Sequence, residues 1–291
     1  MAGGGLLEDP VAQELLQVAA DGGLDLRAAL SGDDEALRPT EVAQPALLLV
    51  ETVLALALAD DVHVVAVAGH SVGEYAACVA AGALQPGDAM RLVLERGLAM
   101  AAMREGTMSA LLGVDPAAAE AACAEAATAT GEVVVVANFN APGQVVISGT
   151  VAGVEAAERA AQSRGLRRAM RLNVSGAFHS PLMAAAGERL AAALAATDVA
   201  TARVPIVANV DAEPVTDGAA IRDRLQRQLT APVRWIDCAN RMVELGATAL
   251  VEVGPGAVLT GLARRIAPDV RGVAVGSLSD ARALASEATA P

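Results

Sequence analysis

The segment from Gly69 to Tyr75, Gly-His-Ser-Val-Gly-Glu-Tyr, holds the residue types best suited to nucleophilic chemistry. Ser71 has one glycine two residues before it and another two residues after it, and glycine lacks the Cβ atom that would collide in a sharp turn. The apolar run from Val62 to Ala68 predicts a buried strand, and the alanine-rich sequence after the segment predicts a helix. A serine at such a strand-to-helix turn is typical of a nucleophile elbow, which favours a catalytic Ser71 over a structural turn serine.

The hydroxyl of Ser71 would need a base, and the chain contains three histidines. His63 lies within the predicted buried strand, where a structural histidine, in the core or at the strand edge, is the preferred interpretation. His70 adjoins Ser71, but neighbouring side chains on an elbow point apart, so we expect His70 to support the turn. His179 lies in a loop where the chain leaves a predicted small subdomain, and a loop between two lobes can face a cleft. We therefore interpret His179 as the base, with a structural loop histidine as the alternative.

The composition restricts the classes of function. With 291 residues, 54% of them hydrophobic, the chain can bury a large core as one elaborated domain or as two closely joined ones. Every one of the 21 basic residues is an arginine, which excludes a lysine Schiff base and a Walker-type lysine. The formal net charge of −13 and the scarcity of aromatic residues argue against a nucleic-acid partner.

Cysteine usage and apolar runs indicate the cellular setting. The three cysteines, Cys78, Cys123 and Cys238, are far apart and form no Cys-x-x-Cys pair. Neither a disulfide framework nor a zinc site is therefore expected, and the cytoplasm is the expected location. The N-terminal residues lack the pattern of a signal peptide. The longest apolar run, Pro45 to Ala59, is too short to span a bilayer and contains Glu51, so it predicts a buried helix and no membrane contact.

The remaining pattern alternates between helices and strands. Over residues 107–173 the predicted order is β-α-β-β-α-β, the order of a ferredoxin-like subdomain. Its predicted strands are Thr107 to Val114, Glu132 to Asn138, Gln144 to Gly149 and Arg167 to Asn173, and its predicted helices are Pro116 to Ala127 and Val151 to Arg164. The main domain, residues 1–106 and 174–291, is predicted to hold helices Val11 to Ala20, Pro45 to Ala59, Val72 to Ala81, Pro86 to Met103, Pro181 to Ala196, Ala219 to Leu229 and Trp235 to Leu245. Its predicted strands are Val62 to Ala68, Pro205 to Val210 and Thr248 to Val253, followed by a last helix after Gly254-Pro255-Gly256.

Further motifs follow the elbow in a fixed order. They are Arg96, Asn138 to Gln144 (Asn-Phe-Asn-Ala-Pro-Gly-Gln), Ala177 to Ser180 (Ala-Phe-His-Ser), Asn209 to Asp211, and Glu252 to Leu262. Together with the elbow, the chain resembles the malonyl-CoA:acyl-carrier-protein transacylases and the acyltransferase domains of fatty-acid and polyketide synthases, from about Val11 to Ile266. The resemblance implies an α/β-hydrolase-like core with a parallel sheet plus an inserted ferredoxin-like subdomain, and neither a metal nor another cofactor.

The resemblance also implies roles for individual residues. Ser71 would be the nucleophile, His179 its base, and the Val72 amide a donor to the oxyanion hole. Arg96 would bind the free carboxylate of malonyl, because a guanidinium can donate two parallel hydrogen bonds to it. Without the resemblance, Arg96 is better interpreted as a surface arginine on its helix.

Four more positions are implied to matter. The backbone carbonyl of Gln228 would orient His179, with Asn209 and His70 as supporting residues. Phe178 beside the base resembles the malonyl-selective version of its loop, because it would fill the space that an α-methyl group needs. Such a preference is graded, since one methyl group is worth only about 1–3 kcal/mol in an apolar pocket.

The implied reaction moves malonyl from coenzyme A to the phosphopantetheine thiol of an acyl carrier protein, through a malonyl-serine ester in a ping-pong sequence. The carrier protein is acidic, and Arg164, Arg167, Arg168 and Arg171 form a local basic cluster that could bind it, although a solvated face is an equal alternative. We expect a monomer that contacts neither nucleic acid nor membrane.

One family feature is missing. Members begin with a strand that ends in a Gly-Gln-Gly-Ser-Gln turn, whose glutamine amide is the second oxyanion donor, and this chain has no such segment. Either the start of the chain is placed too far downstream or the segment has been lost. Two other functions therefore stay open, a catalytically impaired carrier-protein-binding module and a serine hydrolase.

Overall fold

The computed structural model describes residues 5–58 and 62–288. The helices are α1 (Pro10–Asp21), α2 (Leu26–Ser31), α3 (Thr40–Leu58), α4 (Gly73–Ala80), α5 (Pro86–Ala102), α6 (Pro116–Thr130), α7 (Val151–Gln162), α8 (Ala184–Ala195), α9 (Gly218–Gln228), α10 (Trp235–Glu244), α11 (Val258–Ile266) and α12 (Leu278–Ala288). The strands are β1 (Thr107–Leu112), β2 (Val134–Ala141), β3 (Gln144–Gly149), β4 (Arg168–Arg171), β5 (Ile206–Val207), β6 (Pro214–Val215), β7 (Ala249–Val253) and β8 (Arg271–Val275). The predicted order of elements is largely reproduced; α2, β6, β8 and α12 were not predicted.

The largest hydrophobic core is formed by helices and centres on α3, which packs against α1, α4 and α5. Leu48, Leu49 and Leu54 of α3 are completely buried. The helix begins at Thr40, five residues before the predicted start at Pro45. Proline removes one backbone hydrogen bond from a helix, so the pattern suggested a start at Pro45, but packing in the core keeps the helix continuous through it.

Helix α3 also tests the expectation about membranes. Its 19 residues, with a mean hydropathy of 1.7 in its most apolar window, are long and apolar enough to cross a bilayer. Length therefore does not exclude a membrane span, contrary to the sequence argument. However, 56% of that window is buried inside the protein, which is typical of a core helix.

The predicted central strand from Val62 to Ala68 does not form as expected. Only Val67 pairs, in parallel with Ile206, and its backbone exchanges hydrogen bonds of 2.9 and 2.8 Å with the β5 segment. Most of the run is half-buried and His63 is exposed, so of the two structural interpretations of His63 the core histidine is wrong. The physical reason is that, among the described residues, no strand pairs with the other side of this segment.

The main domain has further parallel pairing between β7 and β8, in register from Ala249 opposite Arg271 to Val253 opposite Val275. Among the described strands, β7 has no second partner. Val62 and Val253 both pack on the small cluster that contains Leu58. Side chains of the Val62 to Ala68 segment and of β7 thus pack in the same part of the core.

Residues 107–173 form a four-stranded antiparallel sheet in the order β2-β3-β1-β4, with α6 and α7 packed against it. Leu111, Val145 and Ile147 from the sheet and Val154 from α7 form a separate, completely buried core. This unit joins the main domain where β2 ends, because the Phe139 N–H donates to the Val233 carbonyl and the Val233 N–H to the Ala137 carbonyl.

Candidate active site

Ser71 occupies a strained backbone position just before α4. Its φ of 54° lies in the left-handed region that residues with a Cβ rarely adopt, and such strain is often found at functional sites. A Cβ added to Gly69 would lie 2.0 Å from the carbonyl carbon and oxygen of Gly73. The first glycine of the motif is therefore required because the chain folds back on itself within four residues.

Asn209 holds this turn together from a distant part of the chain. Its Nδ2 donates to the Gly69 carbonyl at 2.7 Å, and its Oδ1 accepts the Ser71 N–H at 2.8 Å. Asn209 follows β5, the strand that pairs with Val67. The chain that pairs with Val67 through β5 thus continues directly into Asn209, the residue that fixes the conformation of Ser71.

The hydroxyl of Ser71 and the imidazole of His179 are in direct contact. Ser71 Oγ lies 2.8 Å from His179 Nε2, and His179 is 4% exposed, with a φ of 55°. His179 Nδ1 lies 3.0 Å from the carbonyl oxygen of Gln228, the last residue of α9, and the end of a helix leaves such carbonyls available. Because a carbonyl only accepts, Nδ1 carries the proton, and Nε2 is free to accept the serine proton.

The His179 imidazole is neutral at physiological pH. Burial, and secondly the charge of Arg96, lower its pKa from 6.5 to about 3. Among the described residues no carboxylate pairs with the imidazole, and the hydrogen bonds to the Gln228 and Ala231 carbonyls, which raise the pKa, offset these effects only in part. A neutral base is the form that can accept a proton from Ser71.

Arg96 is buried beside the nucleophile, so its interpretation as a surface arginine is wrong. It is 1% exposed, and its Nη2 donates to Ser71 Oγ and to the Gln228 side-chain oxygen, each at 3.0 Å. Its Nη1 donates to the side-chain oxygen of Gln44. Helices α3 and α5 can approach closely here because a Cβ on Gly97 would lie 2.9 Å from the Glu41 Cα.

These contacts give the Ser71 hydroxyl two different neighbours. It donates to the neutral His179 nitrogen and accepts from the Arg96 guanidinium. The nearby cation favours the deprotonated form of the oxygen, and the histidine can remove the proton. The arrangement is that of an activated serine with a fixed positive charge beside it.

The Val72 amide has no hydrogen-bond partner among the residues that the structure describes. It lies at the N-terminal end of α4, where backbone amides and the helix dipole favour negative charge. It can therefore donate to an oxyanion that forms at an acyl group on Ser71.

Two predicted residues lie away from the hydroxyl. His70 Nε2 lies 2.8 Å from Asn140 Oδ1, and its ring packs 5.5 Å from that of Trp235, so it connects the elbow to the end of β2. Phe178 is half-buried and packs against both the main core and the cluster around Met108.

Sequence reasoning missed two polar residues of the site, Gln44 and Glu74, and the side chain of Gln228. Gln44 is a buried amide in the apolar helix α3, and that contrast was a usable signal. Glu74 lies within the elbow motif but received no role, although it is 2% exposed.

Over the described parts of the chain, no group of three or more His, Cys, Asp or Glu side chains is arranged to hold a metal ion.

Comparisons with known proteins identify the family of this chain. Residues 7–278 match the family described as "Acyl transferase domain". The malonyl CoA-acyl carrier protein transacylase of Escherichia coli (strain K12) is 44% identical over 264 residues, which cover 88% of this chain and 85% of that protein. The crystal structure of an acyl carrier protein S-malonyltransferase from Vibrio cholerae superposes with a TM-score of 0.89 and 39% identity, covering 94% of this chain and 91% of that chain. A malonyl-transacylase in complex with its type II polyketide synthase acyl carrier protein superposes with a TM-score of 0.89 and 36% identity, covering 97% of this chain and 95% of that chain.

The elbow geometry leads to a test at Gly69. Gly69→Ala should destabilise the protein by at least about 2 kcal/mol and abolish acylation of Ser71, because the new methyl group would collide with the backbone of Gly73. Thermal unfolding and intact-protein mass spectrometry would measure both effects. Gly261→Ala is the control, since a Cβ there meets open space within α11, and it should be neutral or stabilise by up to about 1 kcal/mol. A Gly69→Ala protein with normal stability and acylation would contradict this account of the elbow.

Proposed function

This chain belongs to the acyl transferase domain family, and we propose that it transfers malonyl from malonyl-CoA to the phosphopantetheine thiol of an acyl carrier protein. The main support from the site is the buried Arg96 guanidinium, 3.0 Å from the nucleophilic oxygen of Ser71. A fixed cation at that distance suits an acyl group that ends in a carboxylate. The names of the similar proteins, which are malonyl transacylases, support the same substrate and the same partner.

In the first half-reaction, Ser71 Oγ attacks the thioester carbonyl of malonyl-CoA and His179 Nε2 takes the hydroxyl proton. The bond from the carbonyl carbon to oxygen forms, and the bond to sulfur breaks. The Val72 amide donates to the carbonyl oxygen while it is negatively charged, and Arg96 binds the malonyl carboxylate. His179 then gives its proton to the departing thiolate, which leaves a malonyl-serine ester and free coenzyme A.

The second half-reaction runs the same steps with a new nucleophile. The thiol of the carrier protein's phosphopantetheine gives its proton to His179, and its sulfur attacks the ester carbonyl. The bond between Ser71 Oγ and the acyl carbon breaks, and the oxygen recovers the proton from His179. His179 accepts and returns the proton in both half-reactions.

A serine hydrolase is less well supported. Hydrolases with this elbow normally place an acidic residue next to the histidine, whereas His179 Nδ1 meets the backbone carbonyls of Gln228 and Ala231 at 3.0 and 3.3 Å. A neutral ester would also have no use for a buried arginine beside the serine. Both features favour the transacylase.

The finer description of the fold is also part of the proposal. We assign residues 107–173 to a ferredoxin-like subdomain inserted in an α/β-hydrolase-like core of residues 1–106 and 174–291. The unpaired sides of the Val62 to Ala68 segment and of β7 support a place for the family's first strand between them. That strand would also bring the second oxyanion donor to the site, beside the Val72 amide.

Substrate selection and setting complete the proposal. Phe178, next to His179 in the chain, would limit the space for an α-methyl group and so favour malonyl over its methylated analogue. We further propose that the protein is a cytoplasmic monomer that needs no cofactor. Both fatty-acid and polyketide synthesis could use its product.

The carrier protein would bind at the edge of the subdomain. Of the four arginines expected there, Arg164 pairs with Glu125 at 2.5 Å and Arg171 pairs with Glu158 at 2.8 Å. Arg167 and Arg168 are exposed and form no ion pair within the described residues, and together with Arg159 they line one surface cavity. Arg159 likewise forms no ion pair within the described residues, so these three guanidinium groups are better placed to attract an acidic partner than the two that are already paired.

Ser71→Ala should abolish the acyl-enzyme. After exposure to malonyl-CoA, the unchanged protein should gain about 86 Da, roughly one malonyl group in place of one hydrogen, on the peptide that contains Ser71. Intact and peptide mass spectrometry would measure this gain. Ser175→Ala, in the exposed loop before His179, should still be labelled. Label on Cys78 or on another residue would show that Ser71 is not the nucleophile.

Arg96→Ala should lower the rate of malonylation relative to acetylation by about 10- to 100-fold, because it removes a charged hydrogen-bond donor for the malonyl carboxylate, a group that acetyl lacks. Single-turnover labelling with malonyl-CoA and acetyl-CoA would measure the ratio. Arg91→Ala, at an exposed arginine of the same helix, should leave the ratio unchanged. Equal losses with both donors would mean that Arg96 does not bind the malonyl carboxylate.

The double change Arg167→Glu with Arg168→Glu should raise the KM for the carrier protein by about tenfold or more, because it reverses two charges on the proposed docking surface. The rate of malonyl-enzyme formation from malonyl-CoA should stay unchanged. Steady-state kinetics against carrier-protein concentration, repeated at higher salt, would measure the effect. Arg282→Glu on α12 serves as the control, since it makes a similar change outside the subdomain. Unchanged KM values in the double variant would place the partner elsewhere.

A further inference from the structure

Glu74 is a buried acid three residues after the nucleophile, in the first turn of α4. It is 2% exposed, and no arginine or histidine pairs with it directly among the described residues. Its Oε2 accepts from Gln228 Nε2 at 2.5 Å, and its Oε1 accepts from the Asn209 N–H at 3.4 Å. Burying an acid is costly, so its presence beside the elbow calls for a reason.

The Gln228 amide lies between this acid and the buried guanidinium. Its nitrogen donates to Glu74 and, at 2.9 Å, to the Ser71 carbonyl, while its oxygen accepts from Arg96 Nη2 at 3.0 Å. An ionised carboxylate can only accept hydrogen bonds, and a guanidinium can only donate them. Only one of the two orientations of the amide satisfies both charged neighbours.

We propose that the ionised carboxylate of Glu74 is a positioning residue for the transfer reaction, which holds the Gln228 amide in the orientation that keeps Arg96 beside Ser71 Oγ. This inference rests on the proposed function. It assigns to Glu74 an effect on the malonyl carboxylate, which Arg96 binds, although Glu74 itself contacts neither substrate nor the reacting atoms.

The protonation state of Glu74 determines whether this arrangement holds. Burial raises its pKa to about 7, against the opposing effects of the hydrogen bonds from Gln228 and Asn209 and of the charge on Arg96. The other titratable groups that face it are Asp211 from the loop after β5, Cys238 from α10, and Tyr75 and Cys78 from its own helix. A protonated Glu74 could donate to the Gln228 oxygen and so compete with Arg96 for that acceptor.

The expected pH dependence follows from the raised pKa of Glu74. The ionised fraction of Glu74 rises as the pH rises through about 7, so the rate of malonylation should rise over the same range. His179 cannot produce this change, because its pKa of about 3 keeps it neutral throughout. Between pH 6 and pH 8 the wild-type rate should increase by up to about tenfold, which is the change in the ionised fraction of one such group.

The test measures single-turnover malonyl-enzyme formation from pH 5.5 to 8.5 by mass spectrometry, with malonyl-CoA and with acetyl-CoA. In Glu74→Gln the rise near pH 7 should disappear, and the malonyl rate at pH 8 should fall by about 10- to 100-fold, more than the acetyl rate. Glu51→Gln is the matched control, since Glu51 is another acid near the start of α4 that does not contact the Gln228 amide, and it should keep the rise near pH 7. Persistence of that rise in a folded Glu74→Gln protein would overturn the proposal.

A second variant covers the case in which Glu74→Gln does not fold. Gln228→Leu keeps the backbone carbonyl that orients His179 but removes the amide between Glu74 and Arg96, so it should also lose the rise near pH 7. A Gln228→Leu protein that retains the rise would overturn the proposal as well. If Ser71 accepts a different acyl group instead of malonyl, the proposed function fails, and the same pH series with that donor still tests Glu74.

Discussion

The active site depends on one constraint, the burial of the Arg96 guanidinium. A charge with 1% exposure in an apolar core is tolerated only if acceptors surround it. The acceptors here are Gln44, Gln228 and the Ser71 hydroxyl. They come from α3, from the end of α9 and from the elbow, so the same requirement that stabilises the arginine brings the parts of the site together.

The packing of the helices makes these contacts possible. Gly97 lets α5 approach the backbone of α3 near Glu41, which brings Arg96 within reach of Gln44. Gln228 ends α9, so its carbonyl is available to His179 while its side chain binds Arg96. One residue therefore orients both the base and the cation, and a small shift of α9 would disturb both.

The sequence predicted the parts of this structure that local patterns encode. The elbow around Ser71, the strands and helices of residues 107–173, and the helix that carries Arg96 all follow from short-range periodicity and glycine spacing. The roles of Gln44 and Glu74 could not be predicted in this way, because their partners lie 52 and 154 residues away. The strand expected at Val62 to Ala68 failed for a related reason, since a strand forms only where another strand pairs along it and a sequence pattern does not specify that partner.

The placement of charge separates the two functions of the site. A backbone carbonyl orients His179, so the histidine gains a fixed tautomer without a negative charge that would raise its pKa. The buried acid Glu74 lies instead on the side of Arg96, and the Gln228 amide separates the two side chains. If Glu74 bound Arg96 directly, it would occupy guanidinium donors that now meet Ser71 Oγ and the Gln228 side chain. The intervening amide forms hydrogen bonds to both side chains and leaves the guanidinium directed at Ser71 Oγ, while burial keeps His179 neutral.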